Sequence, residues 1–227
     1  MRLLTALFLT TFFISCNNSK GINIELKRQL DQILYNDQTL RELFDSKTTE
    51  KRKVDILKEF NISQEEFKKR SWMIVAKEDS LNLKAVEKII AKYGYPGRTL
   101  VGEPTNESVW FVIQHSDKIE KYFPIIKNAG KKNEIADSLV AKMEDRLLMS
   151  RQKEQIYGTQ GSGETIRNKA TGEEEFFTYI WPIKEPEKVN DLRKKVGFKT
   201  TVEENAKNME IEFKIYTLKE IMEKQQK

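Results

Sequence analysis

Cysteine occurs once in the 227 residues and histidine once. One cysteine excludes an internal disulfide. With a single histidine and no second cysteine, the usual zinc-binding sets are also missing, so the sequence gives no expectation of a metal or other cofactor. Apolar runs are short everywhere except near the N-terminus, and none of them reaches the roughly 20 residues that a membrane-spanning helix needs. No Gly-x-Ser-x-Gly, His-Glu-x-x-His or phosphate-loop pattern is present. Gly161-Ser162-Gly163 lacks the lysine that a phosphate loop requires and reads as a flexible link. Neither charge dominates: 40 Lys and Arg stand against 35 Asp and Glu, both signs interspersed. That pattern describes a solvated surface and not a nucleic-acid footprint, so nucleic acid is not an expected partner.

The one cysteine has a context. Met1-Arg2 supplies a positive start, Leu3 to Ile14 is apolar apart from threonines, and Phe13-Ile14-Ser15-Cys16 follows. A basic start, a short apolar core and a small residue before a cut describe a secretory signal. Ser15-Cys16 resembles the lipobox of bacterial lipoproteins, which implies acylation of Cys16. Acyl chains bind the bilayer at about 0.8 kcal/mol per buried methylene, so more than one chain anchors stably. Residues 1–15 then form the signal peptide, and residues 16–22 the lipidated cysteine and a polar tether. The expected location is a lipid anchor in the outer membrane, facing the periplasm, since the position after Cys16 is not Asp. Residues 23–209 form one domain, large enough for a core of its own, and 210–227 a strand or helix tail.

The spacing predicts a mainly helical α+β fold, a compact helical domain with one β-hairpin after its central helices. Leu26, Leu30, Ile33 and Leu34 recur at helical intervals, and Asp37 to Phe44 continues or restarts that helix. Val54 to Leu57 with Phe60 forms a second patch. Ser63 with Glu66 makes a capping-box pattern, and Leu81 to Tyr93 carries Leu83, Val86, Ile89 and Ile90 on one face before Gly94-Tyr95-Pro96-Gly97 breaks the chain. Thr105 is expected to cap a helix through Val109 to Ile113, apolar all round and hence buried. Asp117 with Glu120 is expected to cap the next helix, to about Asn128, and Ile135 to Met149 forms another. Gln155 to Gln160 and Phe176 to Trp181 read as hairpin strands, with Gly161, Gly163 and Gly172 in a long loop between them. Pro186 starts a short helix to Val196, closed by Gly197. Glu210 to Tyr216 is a candidate extra strand.

Several motifs together resemble the bacterial domain-of-unknown-function family 6624. They are Asp37-Gln38-Thr39-Leu40-Arg41, Asp79-Ser80-Leu81-Asn82, Tyr93-Gly94-Tyr95-Pro96, Val101-Gly102, Trp110 with Gln114-His115-Ser116-Asp117, Asp145-Arg146, Gln155-Ile156-Tyr157-Gly158-Thr159-Gln160, Pro182-Ile183, and Val189 through Arg193 to Gly197. In order they cover about residues 25–200. Asn190 and Glu185 stand where the family usually has Asp. The resemblance implies a mixed, largely helical domain and no particular activity.

These motifs supply the candidate site. His115 is the candidate acid–base group, because imidazole changes charge nearest neutral pH; Asp145 or Asp117 is its candidate orienting carboxylate. Asp37 and Arg41, spaced i,i+4, pair locally, and Arg41 or Arg146 offers a planar fork for an anion. Tyr157, Gly158, Thr159 and Gln160 are candidate binding residues, as are Gln38 and Gln114. A structural ion-pair network, a hydrogen-bonded histidine and a glycine packed under an aromatic ring are the plainer accounts of the same residues. Two functions stay open. The first is an envelope domain that binds a small molecule or protein partner, or has a structural role. The second is a hydrolase-like enzyme using His115 with Asp145, Arg146 and Tyr157. The helix order predicts that His115, Asp145, Arg146, Tyr157 and Gln160 line one concave patch, with Asp37 and Arg41 at its edge.

Overall fold

The computed structural model describes residues 21–167 and 172–225. The expected signal peptide, Cys16 and most of the tether lie outside the described residues. The described part is mainly helical with one antiparallel two-stranded hairpin. Helix α1 spans Ile24–Glu42, α2 Glu50–Glu59, α3 Gln64–Tyr93, α4 Arg98–Val101, α5 Ser108–Gln114, α6 Ile119–Lys131 and α7 Asp137–Ser150. Strands β1 (Gly161–Arg167) and β2 (Glu174–Ile180) follow, then α8 (Val189–Lys195), α9 (Val202–Asn208) and α10 (Leu218–Gln225). No helix among the described residues is long and apolar enough to cross a membrane.

Two helices organise the site. Buried positions on α1 fall at Leu26, Leu30, Ile33, Asp37 and Leu40, and on α3 at Val75, Asn82, Val86 and Ile89. Asp79 fills the remaining place in the α3 series. Alternating steps of four and three are the spacing of a coiled-coil seam. The helices run antiparallel. At one end Asn23 N–H of α1 donates to Leu100 C=O, just beyond the end of α3, and at the other Arg41 reaches Asp79. Below the seam's middle, Leu26, Leu30 and Ile33 join Val86 and Ile89 in the main core, with Val109, Trp110, Val112, Ile113, Ile126 and Met143. Above it, Leu40 and Leu43 join Ile56, Leu57 and Val75 in a smaller core. Between the two cores the seam positions are Asp37, Asp79 and Asn82, a polar layer where a coiled coil would continue with apolar residues.

Ser63 caps α3 as its sequence suggests, accepting from Glu66 N–H at 3.0 Å. The helix then runs 30 residues, joining two stretches that the sequence leaves separate, with non-helical geometry only at Arg70. Helix α5 is the buried segment the apolar run predicts, with Val109 and Ile113 fully enclosed.

Four local expectations are corrected. Thr105 opens a 3₁₀ turn, not a capped α-helix; its hydroxyl bonds Asp31 and accepts from Lys27 Nζ at 2.7 Å. Asp117 is exposed and pairs with Lys118 at 2.9 Å, while α6 starts two residues later with no side-chain cap. The first hairpin strand is Gly161–Arg167, not Gln155–Gln160, because three backbone donors of the latter, at Ile156, Tyr157 and Thr159, are taken by a buried side chain described below. Gly161 and Gly163 therefore lie in the strand and not in a loop, and sterics favour glycine at both places: a Cβ at Gly161 would lie 2.6 Å from Ile211 Cδ1, and one at Gly163 2.8 Å from the Phe176 ring. Finally, residues 210–217 form no strand. They lead into α10, whose Ile221 is 1% exposed against Tyr179 and Trp181.

Candidate functional site

The polar layer gathers three helices. Asp37 is 2% exposed. Its Oδ2 accepts from Gln38 Nε2 at 2.6 Å, and its Oδ1 meets Arg41 Nη2 at 3.4 Å and His115 Nδ1 at 3.3 Å. The same Arg41 Nη2 donates to Asp79 Oδ1 at 2.6 Å. His115 is the residue on which α5 ends, so its ring leaves the helix at the α1–α3 seam, with its side chain 21% exposed. Burial works to raise the Asp37 carboxyl's pKa; the His115 and Arg41 contacts pull harder the other way and hold it below the ordinary carboxylate range.

The layer is not self-satisfied. Arg41 Nε and Asn82 Nδ2 are buried and donate to no atom of the described residues. Asn82 is 4% exposed and lies one helical turn beyond Asp79, on the same face. A buried donor without an acceptor costs about 1–3 kcal/mol. A polar seam position also costs stability relative to an apolar one. Such departures from a consistent core are expected where function overrides packing.

Asp145, the expected partner of His115, is engaged elsewhere. It is fully buried, and its two oxygens accept from Ile156 N–H (2.7 Å), Tyr157 N–H (3.1 Å), Thr159 N–H (3.0 Å) and the Thr159 hydroxyl (2.9 Å). Burial raises its carboxyl's pKa against the pull of those four donors. Two further buried side chains hold the same segment. Gln155 Nε2 donates to Gln160 C=O and Trp181 C=O, and its Oε1 accepts from Gln160 N–H. Arg193, 1% exposed, donates to Tyr157 C=O at 2.8 Å and to Thr200, and its guanidinium lies over the Phe198 ring. Gly158 has φ +64°, and a Cβ there would lie 2.5 Å from Val202 Cγ2. Asp145, Gly158, Thr159 and Gln160 are thus parts of one side-chain-stapled loop.

The remaining expected residues separate further. Tyr157 is half-buried and lines an open cavity of about 550 Å³ with Lys127, Lys131, Asp137 and Glu144. Burial first, then Glu144 and Asp145, raises its phenol's pKa. Arg146 and Gln114 are half-buried, and neither side chain has a hydrogen bond to another of the described residues. Burial lowers the pKa of the Arg146 guanidinium. The hydrogen bonds therefore bring Asp37, Gln38, Arg41 and His115 together, and Asp145, Tyr157, Gly158, Thr159 and Gln160 together, as two groups. Asp79 and Asn82 belong to the first group and Gln155 and Arg193 to the second; the sequence reading assigned none of the four a role. The signal for Asp79 and Asn82 was present, because the four–three spacing of Val75, Val86 and Ile89 runs through them.

Geometry defines the class as a mainly helical α+β domain with a polar layer between two apolar cores. Its family follows from the sequence. A family profile described as a family of unknown function (DUF6624) matches residues 69–219, and the chain belongs to that family. Asp79, Asn82, His115 and the whole Asp145 loop fall within the match, while Asp37, Gln38 and Arg41 precede it. Comparison with curated proteins and with solved structures returned no match.

Proposed function

We propose that this chain is a lipoprotein, held through acylated Cys16 in the outer membrane and facing the periplasm, whose domain binds a small polar ligand at the α1–α3–α5 polar layer. The observation that carries the ligand reading is the pair of buried, unpaired donors, Arg41 Nε and Asn82 Nδ2, beside a buried carboxylate. A ligand with acceptor oxygens satisfies both. The test is a thermal-shift panel of small carboxylates, phosphate esters and sugars, run in excess chelator on wild type and on Asn82→Leu. A compound that raises the wild-type midpoint and not the variant's supports the reading; a panel without such a compound rejects it.

One contact favours a second reading, an acid–base enzyme of hydrolase type. Asp37 Oδ1 faces His115 Nδ1, so the carboxylate orients the ring and leaves the other nitrogen for proton transfer. In this version Asp37, and not Asp145, orients His115, since Asp145 is consumed by its loop. Turnover of an envelope-derived substrate, lost in His115→Ala, supports it.

A further inference from the structure

Carboxylate oxygens of Asp37 and Asp79 and a ring nitrogen of His115 lie within 4.8 Å of one another. They come from three different helices, α1, α3 and the end of α5, so no sequence spacing announces them. We propose that these three side chains form a binding site for a zinc-class divalent ion, and that the Arg41 guanidinium holds the carboxylate pair when the ion is absent.

Distances first suggest a cation. A charge-assisted N–H···O⁻ bond is usually about 2.7–2.9 Å, yet His115 Nδ1 and Asp37 Oδ1 stand 3.3 Å apart. Two ligands each about 2.0–2.1 Å from a tetrahedral ion stand about 3.4 Å from each other. The contact is long for a hydrogen bond and matches the spacing of two ligands on a shared ion. Among the described residues Asp37 Oδ1 has one other partner, Arg41 Nη2, and that contact is also long at 3.4 Å.

Charge comes second. Two carboxylates at a buried seam require a compensating cation. Arg41 supplies it, donating through one nitrogen to both acids. Its side chain is 26% exposed and its own Nε is unpaired, so the guanidinium is held on one side only. A rotation about its flexible stem frees both acids.

Asn82 is the independent observation. It is 4% exposed in the same layer, with Nδ2 unpaired. The two ends of an amide are assigned from the hydrogen bonds they make. Turned over, Asn82 puts its oxygen where the unpaired nitrogen now lies, one helical turn from Asp79, where it is available as a further ligand, and the buried unpaired donor disappears. One imidazole and two or three oxygens suit zinc and its neighbours; magnesium or calcium takes oxygen alone.

The inference rests on the same layer as the proposed ligand site, but not on that ligand. The test uses the full chain, stripped with chelator, dialysed and titrated with Zn²⁺ by calorimetry, with metal content measured on the product. The expected result is a single ion per chain. Asp79→Asn and His115→Gln each weaken binding by about ten-fold or more, as loss of site residues does, and Arg41→Gln tightens it by removing the competitor. Co²⁺ provides a readout on the unaltered protein, where the intense visible absorption of a four-coordinate N/O site is expected. Absence of bound zinc, a six-coordinate cobalt spectrum, or binding unchanged in both Asp79→Asn and His115→Gln overturns the inference. Zinc binding together with a blank ligand panel removes the small-molecule reading and leaves this one standing; the reverse pattern does the opposite.

Discussion

Replacing Asp145 with Asn separates a structural carboxylate from a catalytic one. The change keeps the size and removes one acceptor. If the amide oxygen stays at Oδ1, the bonds to Ile156 N–H and Tyr157 N–H survive in neutral form. The new NH₂ then faces the groups that Oδ2 now serves: Thr159 N–H, the Thr159 hydroxyl and Tyr157 N–H, the last of which keeps its equal contact to Oδ1. The hydroxyl adapts, since it already accepts from Gln160 Nε2 and turns to accept again. The backbone N–H does not adapt. An orphaned buried donor costs about 1–3 kcal/mol, and loss of charge assistance in the surviving bonds adds up to about 1 kcal/mol more. Removing a charge that burial disfavours returns part of this. The expected net loss is about 2–3 kcal/mol, read as a lowered urea midpoint at unchanged slope. Faster amide exchange at 156, 157 and 159 locates the loss in the loop. A midpoint change worth less than about 0.5 kcal/mol, small beside an orphaned buried donor, would refute the staple and return Asp145 to the list of catalytic candidates.

Cys16→Ser is expected to release the chain from the membrane fraction or stall its processing; normal maturation with retention on the membrane rejects the anchor. Trp110, enclosed in the main core with Nε1 donating to Leu139 C=O at 2.8 Å, is expected to lose about 3–5 kcal/mol on truncation to Ala; a chemical melt showing less than about 1 kcal/mol, below the range for core truncations, contradicts its placement. Because the Asp37 carboxyl is held below its ordinary pKa, its pairing stabilises the fold above about pH 4, the ordinary Asp value, and that contribution drains away as pH falls through the lowered folded value. Acid titrations of stability are expected to be flatter for Asp37→Asn than for wild type, and equal slopes exclude the linkage.

Helices announced themselves wherever an apolar stripe repeated. Leu26, Leu30 and Ile33 marked α1, and Ser63 with Glu66 marked the start of α3. The hairpin was legible as a composition shift; its second strand falls where Phe176 to Trp181 was expected, and only its first strand was misplaced by several residues. Gln155 to Gln160 has the residue types of a strand, yet its Ile156, Tyr157 and Thr159 N–H groups bond to Asp145, a tertiary partner invisible to local pattern. Asp117 looked like a cap because Asp before a helix usually is one; here Lys118 holds its carboxylate. The Asp37–Arg41 pair was readable because it lies within one helix turn. The encounter of that pair with His115 and Asp79 was not, because it depends on where three helices cross. Attention to apolar positions alone also hid Asp79 and Asn82, which occupy core registers without core chemistry.

The polar layer also partitions the molecule along its length. Apolar packing makes unfolding cooperative because neighbouring side chains lose their contacts together. Leu40, Leu43, Ile56, Leu57 and Val75 share no such packing with Leu30, Ile33 and Val86 across the Asp37–Asn82 level. What joins the two halves is a handful of ion pairs and the continuous backbones of α1 and α3. The lobe formed by α2 and the ends of its neighbours is therefore expected to open as a separate unit, at a free energy below that of the whole domain, and an occupant that ties α1 to α3 at Asp37 and Asp79 is expected to fuse the two units into one.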